Sequence, residues 1–221
     1  MTRVEIKRNV LEDNNRAAAE LRKIFAEHGV VVLNMVSSPG AGKTTLLEKT
    51  IAGVQDRCKL GLIAGDVQTE NDADRLRNAG AATVRSIVTG GACHLDARMV
   101  AKAVDGLPLD DIDVLFIENV GNLVCPSSYD LGEDMKVVLV SVTEGDDKPL
   151  KYPGMFRRSS IMLVTKTDLL PHCDFDLSAV KANALRINGD LEHLQLCCKT
   201  GEGLATWFDK LTDLVSAKRK K

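Results

Sequence analysis

The sequence predicts an α/β fold, a mostly parallel sheet with helices on both faces. Three observations carry this. Short apolar runs alternate with amphipathic ones along the chain. The runs are continuously apolar rather than alternating, as expected of strands buried on both faces. And one run, Val30–Val36, leads through Ser37-Ser38-Pro39-Gly40-Ala41-Gly42-Lys43-Thr44-Thr45 into a helical segment, a strand–loop–helix unit with a small-residue loop.

The elements follow in order. Residues 9–28 read as an amphipathic helix, with Ala17, Ala18, Leu21, Ile24, Phe25 and His28 at helical spacing and Gly29 as its stop. Candidate strands are Val30–Val36, Leu60–Ala64, Thr83–Val88, Val114–Glu118, Val137–Val142, Ile161–Val164 and Leu194–Cys197. Candidate helices between them are Lys43–Val54, Asp72–Ala79, Leu95–Val104, Asp176–Ile187 and Leu204–Ser216. Crossovers joining parallel strands should be right-handed. Ligand sites should gather at the carboxyl ends of the strands. The expected organisation is a helical segment over 1–29, one nucleotide-binding domain over 30–217 and a basic, solvated tail over 218–221.

Composition narrows the function. The 221 residues are 44% hydrophobic and 27% charged, enough to bury a core in one large domain. A net charge of −2 gives no reason to expect a nucleic-acid partner. No 18-residue apolar stretch occurs, and Met1-Thr2-Arg3-Val4-Glu5 lacks a signal-peptide core. A cytoplasmic protein without a membrane partner is expected. Its six cysteines should then be core residues, metal ligands or bystanders rather than a disulfide framework.

The loop after the first strand is a P-loop, and its chemistry explains its residues. Small residues at Gly40, Ala41 and Gly42 let backbone N–H groups turn toward phosphate oxygens. The following helix adds its dipole and its unpaired donors. Lys43 would reach the β- and γ-phosphates, and the Thr44 hydroxyl, beside Thr45, would hold Mg²⁺. Ser37 stands where the usual motif opens with Gly. Gly65-Asp66 closes the second strand and could turn a carboxylate toward that Mg²⁺; a simple turn aspartate is the alternative. Val114–Ile117 ends in Glu118, the strand-then-acid arrangement of a Walker B motif. Gly121 follows in a loop suited to sensing the γ-phosphate. Lys43, Asp66 and Glu118 are thus the candidate catalytic residues.

Thr165-Lys166-Thr167-Asp168 resembles the N-K-x-D guanine motif with Thr in place of Asn. The Asp168 carboxylate can accept from both guanine N1–H and its exocyclic amine, whereas adenine would leave it unpaired. The Lys166 stem would cover the base face. Thr165 can still offer a hydroxyl. Cys197-Cys198-Lys199 follows the last strand, where GTPases carry an S-A-K loop.

Cys93-His94 and Cys125 form a possible transition-metal set. By sequence alone, buried structural cysteines are the simpler reading. Position favours a site: both segments should lie at the carboxyl edge of the sheet, with Cys125 on the loop just past Glu118. Three ligands leave a fourth place for water or for a group across a two-fold axis. Cys58, Cys173, Cys197 and Cys198 read as core or incidental residues.

Four blocks together resemble the bacterial HypB proteins, P-loop GTPases that help load nickel into nickel–iron hydrogenase. They are Ser37–Thr45, Gly90–Ala97, Phe116–Pro126 and Ser141–Pro153. The resemblance spans about residues 30–210 and extends to the urease nickel GTPase. It implies GTP/GDP with Mg²⁺ at Thr44, Asp66 and Glu118, nickel or zinc at Cys93, His94 and Cys125, and guanine reading by Lys166 and Asp168. It further implies a GTP-promoted homodimer and the small nickel chaperone HypA as partner, with the hydrogenase large subunit reached indirectly. Many members carry an N-terminal C-x-x-C-G-C nickel site or a His-rich stretch. This chain has no cysteine before Cys58 and only His28, His94, His172 and His193, so those two functions are expected to be absent. The expected activity is slow GTP hydrolysis by a nickel metallochaperone. A urease client, a P-loop small-molecule kinase and a zinc-storage protein are the rival readings.

Overall fold

The computed structural model describes residues 3–220; Met1, Thr2 and Lys221, part of the N-terminal and tail readings, lie outside it. Seven strands form one all-parallel sheet in the order β3-β2-β4-β1-β5-β6-β7. They are β1 (Val31–Ser37), β2 (Leu60–Asp66), β3 (Thr83–Val88), β4 (Val114–Glu118), β5 (Met135–Ser141), β6 (Ile161–Thr165) and β7 (Glu192–Leu196). The helices are α1 (Arg3–Glu27), α2 (Lys43–Val54), α3 (Asn71–Asn78), α4 (Ala97–Val104), α5 (Lys148–Lys151), α6 (Pro153–Arg158), α7 (Leu177–Ile187) and α8 (Leu204–Lys218). All seven expected strands are present, each within about two residues of its expected ends.

Period-two alternation in β1 divides the core. Val31, Leu33 and Met35 point to a layer built from α2, α3 and α8, where Leu46, Ile51, Leu76 and Trp207 pack. Val32 points the other way, toward α1 and α4, with Leu21, Phe25 and Val100. Val36, also on that second face, joins α6 and α7 through Phe156 and Val180. Three layers result, as the continuous apolar runs require. β1 sits centrally between β4 and β5, so the P-loop lies where the strand order reverses, the place where such sheets bind ligands.

Several local readings change. α1 extends toward the N-terminus beyond the expected start, to Arg3. Ile24 is exposed rather than packed, and His28 leaves the apolar face to meet Asp110 at 2.6 Å. α4 starts at Ala97, because Asp96 caps it by accepting the Met99 N–H. α5 and α6 are additional; both are short with a proline in the first turn, too brief to show a periodicity. At the basic end Lys218 completes α8 and pairs with Asp134 at 2.6 Å, and the exposed Arg219 pairs with Asp113 at 2.5 Å. No helix among the described residues is long and apolar enough to cross a membrane.

Candidate functional site

Two adjoining cavities lie over the carboxyl end of the sheet. The larger, about 550 Å³, is lined by the P-loop, Asp66, Asp72, Arg75 and the Glu118–Gly121 turn. The smaller, about 330 Å³, is lined by Ala41, Thr165, Lys166, Asp168, Cys197 and Cys198. Gly42, Thr45 and Lys166 border both, so the two are halves of one groove, polar at one end and apolar at the other. That division suits a phosphate chain joined to a base.

At the polar end the P-loop is shaped by Gly40 and Gly42, whose φ angles of 74° and 100° belong to the left-handed region. The Lys43 ammonium donates to Ser37 Oγ at 3.0 Å, and Thr44 Oγ1 donates to Glu118 Oε1 at 2.7 Å. Lys43, Thr44 and Glu118 are all buried. Burial pushes the Glu118 carboxyl up to about 7, against the nearby Lys43 charge and the Thr44 hydrogen bond. Burial likewise holds the Lys43 ammonium below its ordinary range, with Glu118 opposing. Glu118 Oε2 is buried with no hydrogen-bond partner. An orphaned carboxylate oxygen beside a threonine hydroxyl is a donor set that suits a hard divalent cation. Asp66 shares the cavity, but its Oδ1 accepts from the Gln68 and Thr69 N–H groups, and these backbone bonds hold the carboxyl below its usual range. Gln68 itself is exposed and does not line the cavity.

At the apolar end the guanine-type loop is locked to the P-loop. Thr165 Oγ1 donates to the Ala41 carbonyl at 2.7 Å, and Lys166 Nζ donates to the Gly40 carbonyl at 2.7 Å. The Thr165 hydroxyl is therefore committed to the P-loop rather than offered to a base. Lys166 holds φ 61°, the one non-glycine residue in the left-handed region among those described. Asp168 borders the cavity, and Cys197 Sγ donates to its Oδ1 at 3.1 Å. The expectation of core or incidental residues at Cys197 and Cys198 is incomplete: Cys197 is indeed buried, but both also line the apolar end, and Cys197 stands where the S-A-K loop has serine. Their position after the last strand was the available signal. Cys58 is buried in the core, as expected.

The thiolate–imidazole set is brought together, as its position at the carboxyl edge of the sheet suggested. The ligand atoms of Cys93, His94 and Cys125 lie within 4.8 Å of one another, and among the described residues no other such group occurs. Cys93 Sγ is 2.9 Å from Cys125 Sγ and 3.7 Å from His94 Nδ1. The His94 ring lies 4.0 Å from that of Tyr129, and burial lowers its pKa, favouring the neutral imidazole that binds metal. The hydrogen bond to Cys125 raises the Cys93 thiol above its ordinary range. Two asparagines join this site to the phosphate end. Asn119, next to Glu118, accepts the Leu95 N–H at 3.1 Å, and Asn122 donates to the Cys93 carbonyl at 3.1 Å.

Sequence reasoning missed Arg75 and Lys148. Arg75 lines the phosphate cavity, paired bidentately with Glu48 at 2.9 Å and bonded to Thr45 Oγ1 at 3.2 Å. Lys148 pairs with Glu144 and reaches Ser38 Oγ at 3.2 Å. Arg75 belongs to no short motif, and Lys148 lies in the Ser141–Pro153 block, which marks the resemblance without giving that lysine a role.

Fold and site define a P-loop nucleotide-binding protein with a cysteine–histidine cluster wired to its phosphate cavity. The chain belongs to the CobW/HypB/UreG family, whose nucleotide-binding domain matches residues 31–195. It is 50% identical over 217 residues to hydrogenase maturation factor HypB of Rhizobium leguminosarum bv. viciae, spanning 98% of this chain and 72% of that one. It is 46% identical over 188 residues to the hydrogenase/urease maturation factor HypB of Helicobacter pylori, 83% of this chain and 76% of that one. The crystal structure of HypB from Helicobacter pylori in complex with nickel superposes with a TM-score of 0.87 at 42% identity, covering 94% of this chain and 96% of that one.

Proposed function

We propose that this protein is a GTP-hydrolysing nickel metallochaperone for hydrogenase maturation. The observation that carries the proposal is the joining of the metal set to the nucleotide site. The segment bearing Cys93 is hydrogen-bonded to Asn119 and Asn122, on the loop that runs from Glu118 in the phosphate cavity to Cys125. Membership of a family with nucleotide-binding and nickel-bound relatives supports the reading.

In this scheme the P-loop N–H groups and Lys43 bind the β- and γ-phosphates, and Asp168 selects guanine over adenine. Thr44 and Glu118, with Asp66 behind them, would hold Mg²⁺, which offsets the charge that develops during phosphoryl transfer. Among the described residues no glutamine lines the phosphate cavity, which is in keeping with slow unassisted hydrolysis. Nickel is cargo. Cys93, His94 and Cys125 offer it two sulfurs and a nitrogen, donors that also accept zinc. Coupling of this kind is typically about 1–3 kcal/mol. The GTP state favours a homodimer in the cytoplasm, and exchange with HypA leads onward to the hydrogenase large subunit. The domain over 30–217 performs the switching.

The test is a nickel titration with Mg·GDP and again with a non-hydrolysable Mg·GTP analogue, reading molecular mass throughout. A nucleotide-dependent change in nickel affinity, lost in Cys125→Ala, is the expected result. Identical nickel binding and mass in both states would overturn the coupling.

A further inference from the structure

We propose that Asn14 is a positioning residue for the nickel ligands: from α1 it staples the segment carrying Cys93 and His94 to the segment carrying Cys125. The inference rests on the nickel reading given above, and adds a residue that lies outside both ligand segments and every nucleotide motif.

Asn14 is 1% exposed, a buried polar side chain on a surface helix. Its Oδ1 accepts the Ala97 N–H at 2.8 Å, and its Nδ2 donates to the Asp130 carbonyl at 2.9 Å. The orientation of the amide is dictated by its partners, since a backbone N–H can only donate and a carbonyl only accept. Ala97 opens α4 just beyond Cys93-His94. Asp130 follows Tyr129, whose ring lies against His94, at the end of the turn Cys125–Ser128. One side chain therefore bridges the two segments at their far ends. Asn119 and Asn122 bridge them at their near ends.

Two further contacts fix α1 over this bridge. Arg22 pairs with both carboxylate oxygens of Asp130, at 2.7 and 2.8 Å. Gly132 leaves no room for a side chain against Leu21 and the Ala18 carbonyl, so the Asp130–Gly132 turn lies directly on the helix. The ligand spacing is thus set partly by how α1 is seated. A buried amide that satisfies two backbone groups holds them at a fixed distance. Removing it leaves both unpaired in a site too tight for free rearrangement.

The experiment uses the full chain, with nickel affinity read from the thiolate-to-nickel charge-transfer band and GDP affinity from a fluorescent analogue. A second readout omits nickel: capture by phenylarsine oxide, which needs two thiols close together, with Cys93→Ser as the blank. Asn14→Ala should weaken nickel binding about tenfold or more, in the range seen for groups that orient ligands. Capture of the Cys93–Cys125 pair should fall in parallel, while GDP affinity stays within about twofold. Asn14→Asp keeps the acceptor for Ala97 but loses the donor to Asp130, and should fall between. Val215→Ala, a core truncation on the opposite face of the sheet, controls for stability and should leave nickel affinity and capture unchanged. Unchanged nickel affinity and capture in Asn14→Ala, or an equal loss in Val215→Ala, would overturn the proposal. Nickel binding that survives Cys125→Ala would instead mean that the nickel reading has failed. Arsenical capture in the nickel-free chain then still decides whether Asn14 sets the Cys93–Cys125 spacing.

Discussion

The Thr165 hydroxyl donates to the carbonyl of Ala41 at 2.7 Å, tying the Thr165–Asp168 loop directly to the P-loop. Thr165 is buried, so water cannot replace this bond. Thr165→Val keeps the shape and removes the donor, leaving the Ala41 carbonyl unpaired. Such a loss is worth about 1–3 kcal/mol. GDP affinity is expected to fall by about tenfold. Preference for guanine over adenine should persist, because Asp168, the proposed base reader, is unchanged. Titration with guanine and adenine nucleotides checks both halves of the prediction.

Ser37 gives a prediction of opposite sign. Its hydroxyl holds the Lys43 ammonium at 3.0 Å, in competition with the phosphates that Lys43 is proposed to bind. Ser37→Ala removes the competitor. The ligand-free protein should lose about 1 kcal/mol of stability, and nucleotide affinity should rise up to about fivefold. Thermal melting without nucleotide and GDP titration measure the two effects. A fall in affinity would mean that Ser37 itself binds the phosphates.

How much of this site was legible in the sequence depended on how local its signals are. The P-loop, Glu118 and Asp168 each end or follow an apolar strand, so period and motif located them together. Cys93, His94 and Cys125 were legible as a set only because strand topology brings loop ends to one edge. What sequence reasoning missed is tertiary. Asn14 sits on α1 like any polar residue, and nothing nearby marks it as buried. Arg75 meets Glu48 and Thr45 across two helices. The fate of the Thr165 hydroxyl depended on where the Ala41 carbonyl points, which no pattern reports. Ile24 matched the helical period but is exposed, because α1 covers the sheet with a narrower stripe than the pattern allowed.

Gly121 lies against the P-loop. A Cβ there would approach Pro39 Cα to 2.9 Å and its backbone N to 3.0 Å. The obstacle is backbone, so it cannot be relieved by a rotamer change. Gly121→Ala should push the Glu118–Cys125 loop off the P-loop, at a cost of about 1–3 kcal/mol. Nucleotide affinity and nickel affinity should both fall, since the displaced loop carries Asn119 and Asn122. A variant that loses one and keeps the other would separate the two sites.

The Arg22–Asp130 pair yields a pH dependence. Burial alone would push the Asp130 carboxyl upward. The hydrogen bond and charge of Arg22 and the Gly132 N–H together outweigh it, and the folded-state pKa lies below the ordinary value. A depressed carboxyl pKa contributes stability above its unfolded value, near 3.9, and loses it as pH falls through the folded one. The pair is 47% and 40% exposed at its side chains, so solvent screens it and the contribution stays below about 1 kcal/mol. Arg22→Ala should reduce stability slightly at neutral pH and flatten the acid limb of the stability curve below about pH 5. Chemical denaturation at a series of pH values checks the sign. A variant whose acid limb is unchanged would show that the backbone donor, not Arg22, holds the carboxylate. Because Asp130 also offers its carbonyl to Asn14, the same series read by arsenical capture tests whether the cysteines loosen as the pair is lost.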